Sequence, residues 1–169
     1  YKQLGWKEGD FPISEKYYQK CLSLPMYPSL KDEEQEFVIE KVKGFYLDKL
    51  KDLAPIYGLV NNAALGYDDL ITNADVPMLE KTFRVNVISP MMLTKYAIRD
   101  MLLNGVKGSI VHISSVSTST GYKGLSMYAS TKGALEYFSR GVAREWGKRG
   151  IRSNCVAPGF METSMTSEL

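Results

Sequence analysis

Cysteine and histidine are scarce in this chain: Cys21, Cys155 and His112 are the only ones among 169 residues. Two distant cysteines exclude a disulfide scaffold; they allow one disulfide at most, and free thiols of a reducing, cytoplasmic compartment are the expected reading. So few soft ligands leave no metal site to expect, zinc least of all. His112, inside an apolar run, reads as a satisfied core histidine. No stretch approaches the roughly 18 consecutive apolar residues of a membrane span, and Tyr1–Asp10 carries no secretory signal pattern. The chain opens on Tyr1 instead of methionine, so removal of something upstream is expected. Neither sign of charge dominates, with 21 basic and 19 acidic residues, which speaks against a nucleic-acid partner. Arg140, Arg144 and Lys148 line one helical stripe, but Glu136 and Glu145 interrupt it, as on a solvated face. There are no repeats and no low-complexity segments. The length suffices for one ordinary domain with a real core.

What is there centres on residues 108–132. Ser109–Ile113 is short, apolar and β-branched, as in a buried parallel strand. It runs into Ser114-Ser115 and a small-residue loop, after which Tyr128 and Lys132 stand four apart in a helical pattern. That spacing puts phenol and ammonium on one helix face. A tyrosine ordinarily titrates near pH ~10. A fixed cation beside it is expected to lower that value and let Tyr128 exchange a proton near neutrality. A strand-end serine can direct its hydroxyl at the same substrate oxygen. These residue types suit proton transfer to or from a carbonyl or alcohol oxygen.

Around this centre the chain alternates strands and helices. Strands are expected at about 56–60, 109–113 and 152–156, with helices from Met78 to about Asn104, kinked near Pro90, and from Met127 to Lys148. Leu79, Phe83, Val87, Met91 or Met92, and Tyr96 are the expected buried side of the first helix. The alternation predicts parallel pairing through right-handed crossovers, with the middle strand at 109–113 and both long helices on one face.

Five motifs now stand in order: Leu59-Val60-Asn61-Asn62-Ala63-Ala64, Phe83-Arg84-Val85-Asn86-Val87, the two serines, Tyr-x-x-x-Lys, and Asn154-Cys155-Val156-Ala157-Pro158-Gly159 with Thr163 beyond. Together they closely resemble the short-chain dehydrogenase/reductase family over residues ~47–169. The resemblance implies a catalytic tetrad of Ser115, Tyr128, Lys132 and Asn86. Ser115 is preferred to Ser114 because it lies thirteen residues before Tyr128, as in the family's single-domain reductases. It further implies NAD or NADP as cofactor, with Asn62, Ala63 and Ala64 near the adenosine side. Tyr128 and Lys132 would meet the nicotinamide ribose, and Pro158, Gly159 and Thr163 the carboxamide. A small carbonyl or alcohol substrate is implied too, as is a homo-oligomer through helices 78–104 and 127–148.

Residues 1–47 differ from the rest. Ser14 suits an N-cap; Pro25 and Pro28 force an extended path; Ser29 with Asp32, Glu33 and Glu34 opens a second helix that buries Phe37, Val38, Val42 and Phe45. The stretch around Leu22-Ser23-Leu24-Pro25-Met26-Tyr27-Pro28 resembles the C-terminal end of pyridoxal-phosphate aminotransferases of nucleotide-sugar metabolism. The lysine that holds their cofactor belongs to a region absent here, so no lysine in 1–47 inherits that role. The join falls between about Gly44 and Leu53, with a helix expected across it.

The expected architecture is therefore α/β: a partial doubly wound, Rossmann-like parallel sheet of about three strands (48–169) behind a small helical segment (1–47). Family members grip the cofactor pyrophosphate with G-x-x-x-G-x-G after their first strand. The fourteen glycines here include no such run. Hydrogen bonds to charged groups contribute roughly 1.5–3 kcal/mol each, so losing two or three costs on the order of 3–9 kcal/mol. At about 1.4 kcal/mol per tenfold, a micromolar site becomes millimolar or worse. Two readings follow: an NAD(P)-dependent reductase by motif that is inactive as this chain alone, or a non-catalytic chimera serving as an association module.

Overall fold

The computed structural model of the protein describes Cys21–Leu22 and residues 55–160. Four strands lie parallel in the order β1 (Cys21–Leu22), β2 (Gly58–Asn61), β3 (Ser109–Ile113), β4 (Arg152–Val156). Leu59 pairs with Ile110, and Ile110 with Ser153; two residues on, Asn61 pairs with His112, and His112 with Cys155. Because strand side chains alternate, these two rungs share one face of the sheet. Two helical stretches cover that face. Ala97, Ile98 and Met101 of α2 (Ser89–Leu103) and Val142 of α4 (Ser126–Trp146) join Leu59, Ile110 and Ile151 in one core cluster. Full burial of such side chains stabilises by roughly 1.5–3 kcal/mol each. Gly108 has no side chain for a reason: a Cβ there would run into the buried Met101 thioether and the Tyr57 carbonyl. The expected parallel order, the 109–113 and 152–156 strands and the common helix face all hold.

Three details differ from expectation. The second strand begins at Gly58, because Ile56 N–H donates to Asp100 Oδ2 at 2.8 Å instead of joining the ladder. The two-residue β1 pairs with Gly58 and Leu59 from within the segment set apart as helical. The long helix is also interrupted. α1 (Val76–Phe83), capped by Asp75 Oδ2 accepting from Met78 N–H at 3.0 Å, runs into a π-helical turn over Arg84–Ile88 before α2 begins. Pro90 explains the break, since it brings no N–H and its ring crowds the carbonyl four residues back, that of Asn86. The extra residue shifts the helix phase. Thr82, Val85, Asn86, Val87, Ser89, Pro90 and Thr94 are buried there, whereas Leu79, Phe83, Met91, Met92 and Tyr96 are half-buried. α3 (Ser117–Thr120) is a short turn inside the expected loop, ended by Gly121 at φ 65°, which favours glycine. Arg140, Arg144 and Lys148 are exposed, as a solvated face requires. The helix expected across 31–53 lies outside the described residues, as does Thr163.

His112 is fully buried, and its Nδ1 lies 3.1 Å from Asn61 Nδ2, which also donates to Thr94 Oγ1 at 3.3 Å. His112 Nε2 and Asn61 Oδ1 have no partner, so this core histidine is only half satisfied. Burial lowers its pKa from 6.5 to about 4. Between those values the unfolded chain binds a proton that the folded chain refuses. Stability therefore falls as pH drops through this window and is fully retained above it. At about 1.4 kcal/mol per unit the loss is on the order of 3 kcal/mol. Urea unfolding at pH 7 and pH 4 should show this loss shrinking in His112→Asn; an equal loss in both chains would contradict the assignment.

Candidate active site

The site forms where β3 ends and α4 begins. Lys132 is only 2 % exposed, and its ammonium donates to the Ile113 carbonyl at 2.8 Å. A buried ion needs such a partner. The bond ties the first turns of α4 to the last residue of β3, just before Ser114 and Ser115. Tyr128, one turn earlier on α4, is half-buried, with Lys132 Nζ 5.6 Å from its ring centroid. Ser115 Oγ accepts from Ser117 N–H at 3.2 Å and from Ser117 Oγ–H at 2.9 Å. Both acceptor positions are taken, which leaves its own proton to be donated outward. Ser114 is spent differently. It is 3 % exposed, and its hydroxyl donates to Glu136 Oε1 at 2.5 Å.

Asn86 is fully buried in the π-helical turn. Its Oδ1 accepts from Leu65 N–H at 2.7 Å, while Nδ2 donates to Leu65 O at 2.9 Å and Thr131 Oγ1 at 3.0 Å. Both Nδ2 protons are thereby used. The side chain pins the loop after β2 to α4, between Tyr128 and Lys132. Pro90, four residues on, brings no N–H to the Asn86 backbone carbonyl. Asn62 is exposed, and Ala63 and Ala64 are half-buried, on the loop that leaves β2. Asn62 and Ala63 line a cleft with Val85, Pro90, Ser89 and Leu93, the last two being wall residues that no sequence pattern singled out. Pro158 is half-buried and Gly159 exposed; the Pro158 carbonyl accepts from Val116 N–H at 3.1 Å, holding that loop beside Ser115. Among the described residues no cluster of histidine, cysteine, aspartate or glutamate could hold a metal, and no helix is long and apolar enough to cross a membrane.

The electrostatics depart from expectation at Tyr128. Burial, and then the Asp68 carboxylate, raise its pKa above the usual tyrosine value. Lys132 is itself desolvated, its pKa lowered from 10.5 to about 8, with Cys155 acting weakly in the opposite sense. By the pH at which this phenol ionises, the ammonium has therefore lost its proton. Asp68, on the loop after β2, went unread because no spacing in the sequence brings it to Tyr128.

Asn86→Ala should strip hydrogen bonds from the buried Leu65 backbone and from Thr131 together. Each orphaned group costs about 1–3 kcal/mol, so a total near ~3 kcal/mol is expected in urea unfolding. A cost under about 0.5 kcal/mol, the level of an ordinary surface change, would contradict the pinning role.

Comparison with known proteins agrees with this fold. Residues 38–169 match the family model of the short chain dehydrogenases, and residues 1–43 that of the DegT/DnrJ/EryC1/StrS aminotransferase family. The 3-oxoacyl-[acyl-carrier-protein] reductase of Mus musculus is 35 % identical over 130 residues, 77 % of this chain and 54 % of the relative. NADPH-dependent aldehyde reductase 1 of Arabidopsis thaliana is 41 % identical over 108 residues, 63 % of this chain and 36 % of its own. A gluconate 5-dehydrogenase from Burkholderia cenocepacia, solved with NADP and tartrate, superposes with TM-score 0.71 at 27 % identity over 80 % of this chain and 51 % of its own. ElxO with NADP bound gives 0.69 at 30 %, over 82 % and 54 %. The chain spans about half the length of the curated relatives it matches. With the model matched over most of its residues, the chain belongs to the short-chain dehydrogenase family.

Proposed function

We propose that the chain carries the proton-transfer half of an NAD(P)-dependent carbonyl reductase and, by itself, grips the cofactor poorly. One observation supports this above others: Lys132 ties α4 to the end of β3, two residues before Ser115, and lies 5.6 Å from the Tyr128 ring centroid, with Asn86 bonded to the same helix. Of the three Lys132 donors, one is used on Ile113, which leaves an ammonium able to hold a vicinal diol such as the nicotinamide ribose. Asn62 and Ala63 of the cleft are the residues for the adenosine side, Pro158 and Gly159 for the carboxamide. The chemistry that a nicotinamide would supply there, when bound, is a hydride for the carbonyl carbon. Tyr128 gives its phenolic proton to the oxygen; burial and Asp68 hold its pKa above the usual tyrosine value, so the phenol carries that proton at neutral pH. Ser115 donates a hydrogen bond to the same oxygen as negative charge develops there. Asn86 holds the relay water through its backbone carbonyl. The substrate is a small carbonyl compound; the aminotransferase-like neighbour suggests nucleotide-sugar metabolism, and the compartment is cytoplasmic.

A second reading, association without catalysis, draws on Leu103 of α2 and Tyr137 of α4, which are 85 % and 79 % exposed.

Positioning of the reacting groups supplies a large share of an enzymatic rate, and these 169 residues contain no glycine-rich pyrophosphate turn. Calorimetry on a polypeptide of this sequence should give dissociation constants for NADH and NADPH weaker than about 1 mM. Carbonyl reduction should be negligible, and Tyr128→Phe without measurable effect. Micromolar binding, with turnover lost on Tyr128→Phe, would overturn the weak grip.

A further inference from the structure

We propose that Glu136 is a positioning residue for Ser115, a latch on α4 that closes over the turn carrying it. The proposal rests on the reading of Ser115 as a substrate-facing hydroxyl. Glu136 follows Lys132 by one helical turn, so Tyr128, Lys132 and Glu136 share a face. Its Oε1 accepts from Ser114 Oγ at 2.5 Å and lies 2.9 Å from Thr118 Oγ1. These donors flank Ser115 on both sides. Thr118 Oγ1 is equally 2.9 Å from the Ser115 carbonyl, so its one proton is shared between latch and turn. α4 thereby holds the end of β3 at two levels, Lys132 on the Ile113 carbonyl and Glu136 on the residues just beyond. Val116 N–H to Pro158 O, at 3.1 Å, closes the turn from the other side. With backbone and both neighbours fixed, the Ser115 hydroxyl has one direction in which to point.

The latch is read without turnover, on the full chain. Amide hydrogen exchange at Val116 and Ser117, and the Hα–Hβ couplings of Ser115, report the turn and its side chain directly. In Glu136→Ala these amides should exchange about tenfold or more faster, as loss of a strong hydrogen bond implies. Ser115 should go from one rotamer to an average of several. Amides of Arg152–Val156 should change little. Glu136→Gln keeps an acceptor at the same place and should restore both signals. Ser114→Ala with Thr118→Val removes the donors instead, and should reproduce the loosening; adding Glu136→Ala to that pair should do nothing more. An unmoved turn in Glu136→Ala and in the Ser114/Thr118 pair would overturn the latch, as would equal loosening of β4. Should Ser115 prove irrelevant to carbonyl chemistry, the reductase reading fails while these signals still decide whether Glu136 holds the turn.

Discussion

A lysine ammonium 2 % exposed to solvent, bonded at 2.8 Å to the last carbonyl of a central strand, is the constraint on which the rest of this structure depends. An ion so placed must be paired, and losing the partner of a buried charge costs several kcal/mol. The pairing fixes the rotation of α4 about its axis. Tyr128 then falls one turn toward the helix start, Glu136 one turn beyond, and Thr131 against Asn86. The geometry of this junction and the stability of the fold rest on the same set of contacts.

That economy has an electrostatic consequence. Lys132 is oriented by protein and desolvated, so it gives Tyr128 no help in losing a proton. The phenol stays protonated, held so by burial and by Asp68. Loss of that proton in either direction of proton transfer leaves a phenolate in the same buried site beside Asp68, and a further positive charge brought to the site would ease it. The polar centre is built before anything binds, and the 169 residues hold it without a glycine-rich turn to deliver a hydride beside it.

Legibility in the sequence followed the range of the interaction. Strands 109–113 and 152–156 were readable because β-branched runs and parallel burial are local signals. The start of β2 was not, since Ile56 is claimed by Asp100, 44 positions away. The π-helical turn left one trace, Pro90, enough to place a kink but not to reveal that Thr82 and Thr94 face inward. The Tyr128–Lys132 spacing put the two side chains beside one another, as found, and gave the wrong direction of the phenol's shift, because Asp68 and burial are tertiary facts. Glu136 was readable only as an interruption of a basic stripe; the hydroxyls that it receives come from the β3 turn, 18 and 22 positions earlier.

The most direct measurement is the ionisation of Tyr128 in the unliganded chain, followed by 13C NMR at its ring Cζ, with Tyr128→Phe to assign the signal. The account predicts a midpoint above the ordinary phenol value of ~10. Lys132 will already be neutral there, so Lys132→Met should leave the midpoint little changed. A midpoint near neutrality that climbs in Lys132→Met would contradict it, and would mean that the lysine activates the tyrosine without any cofactor.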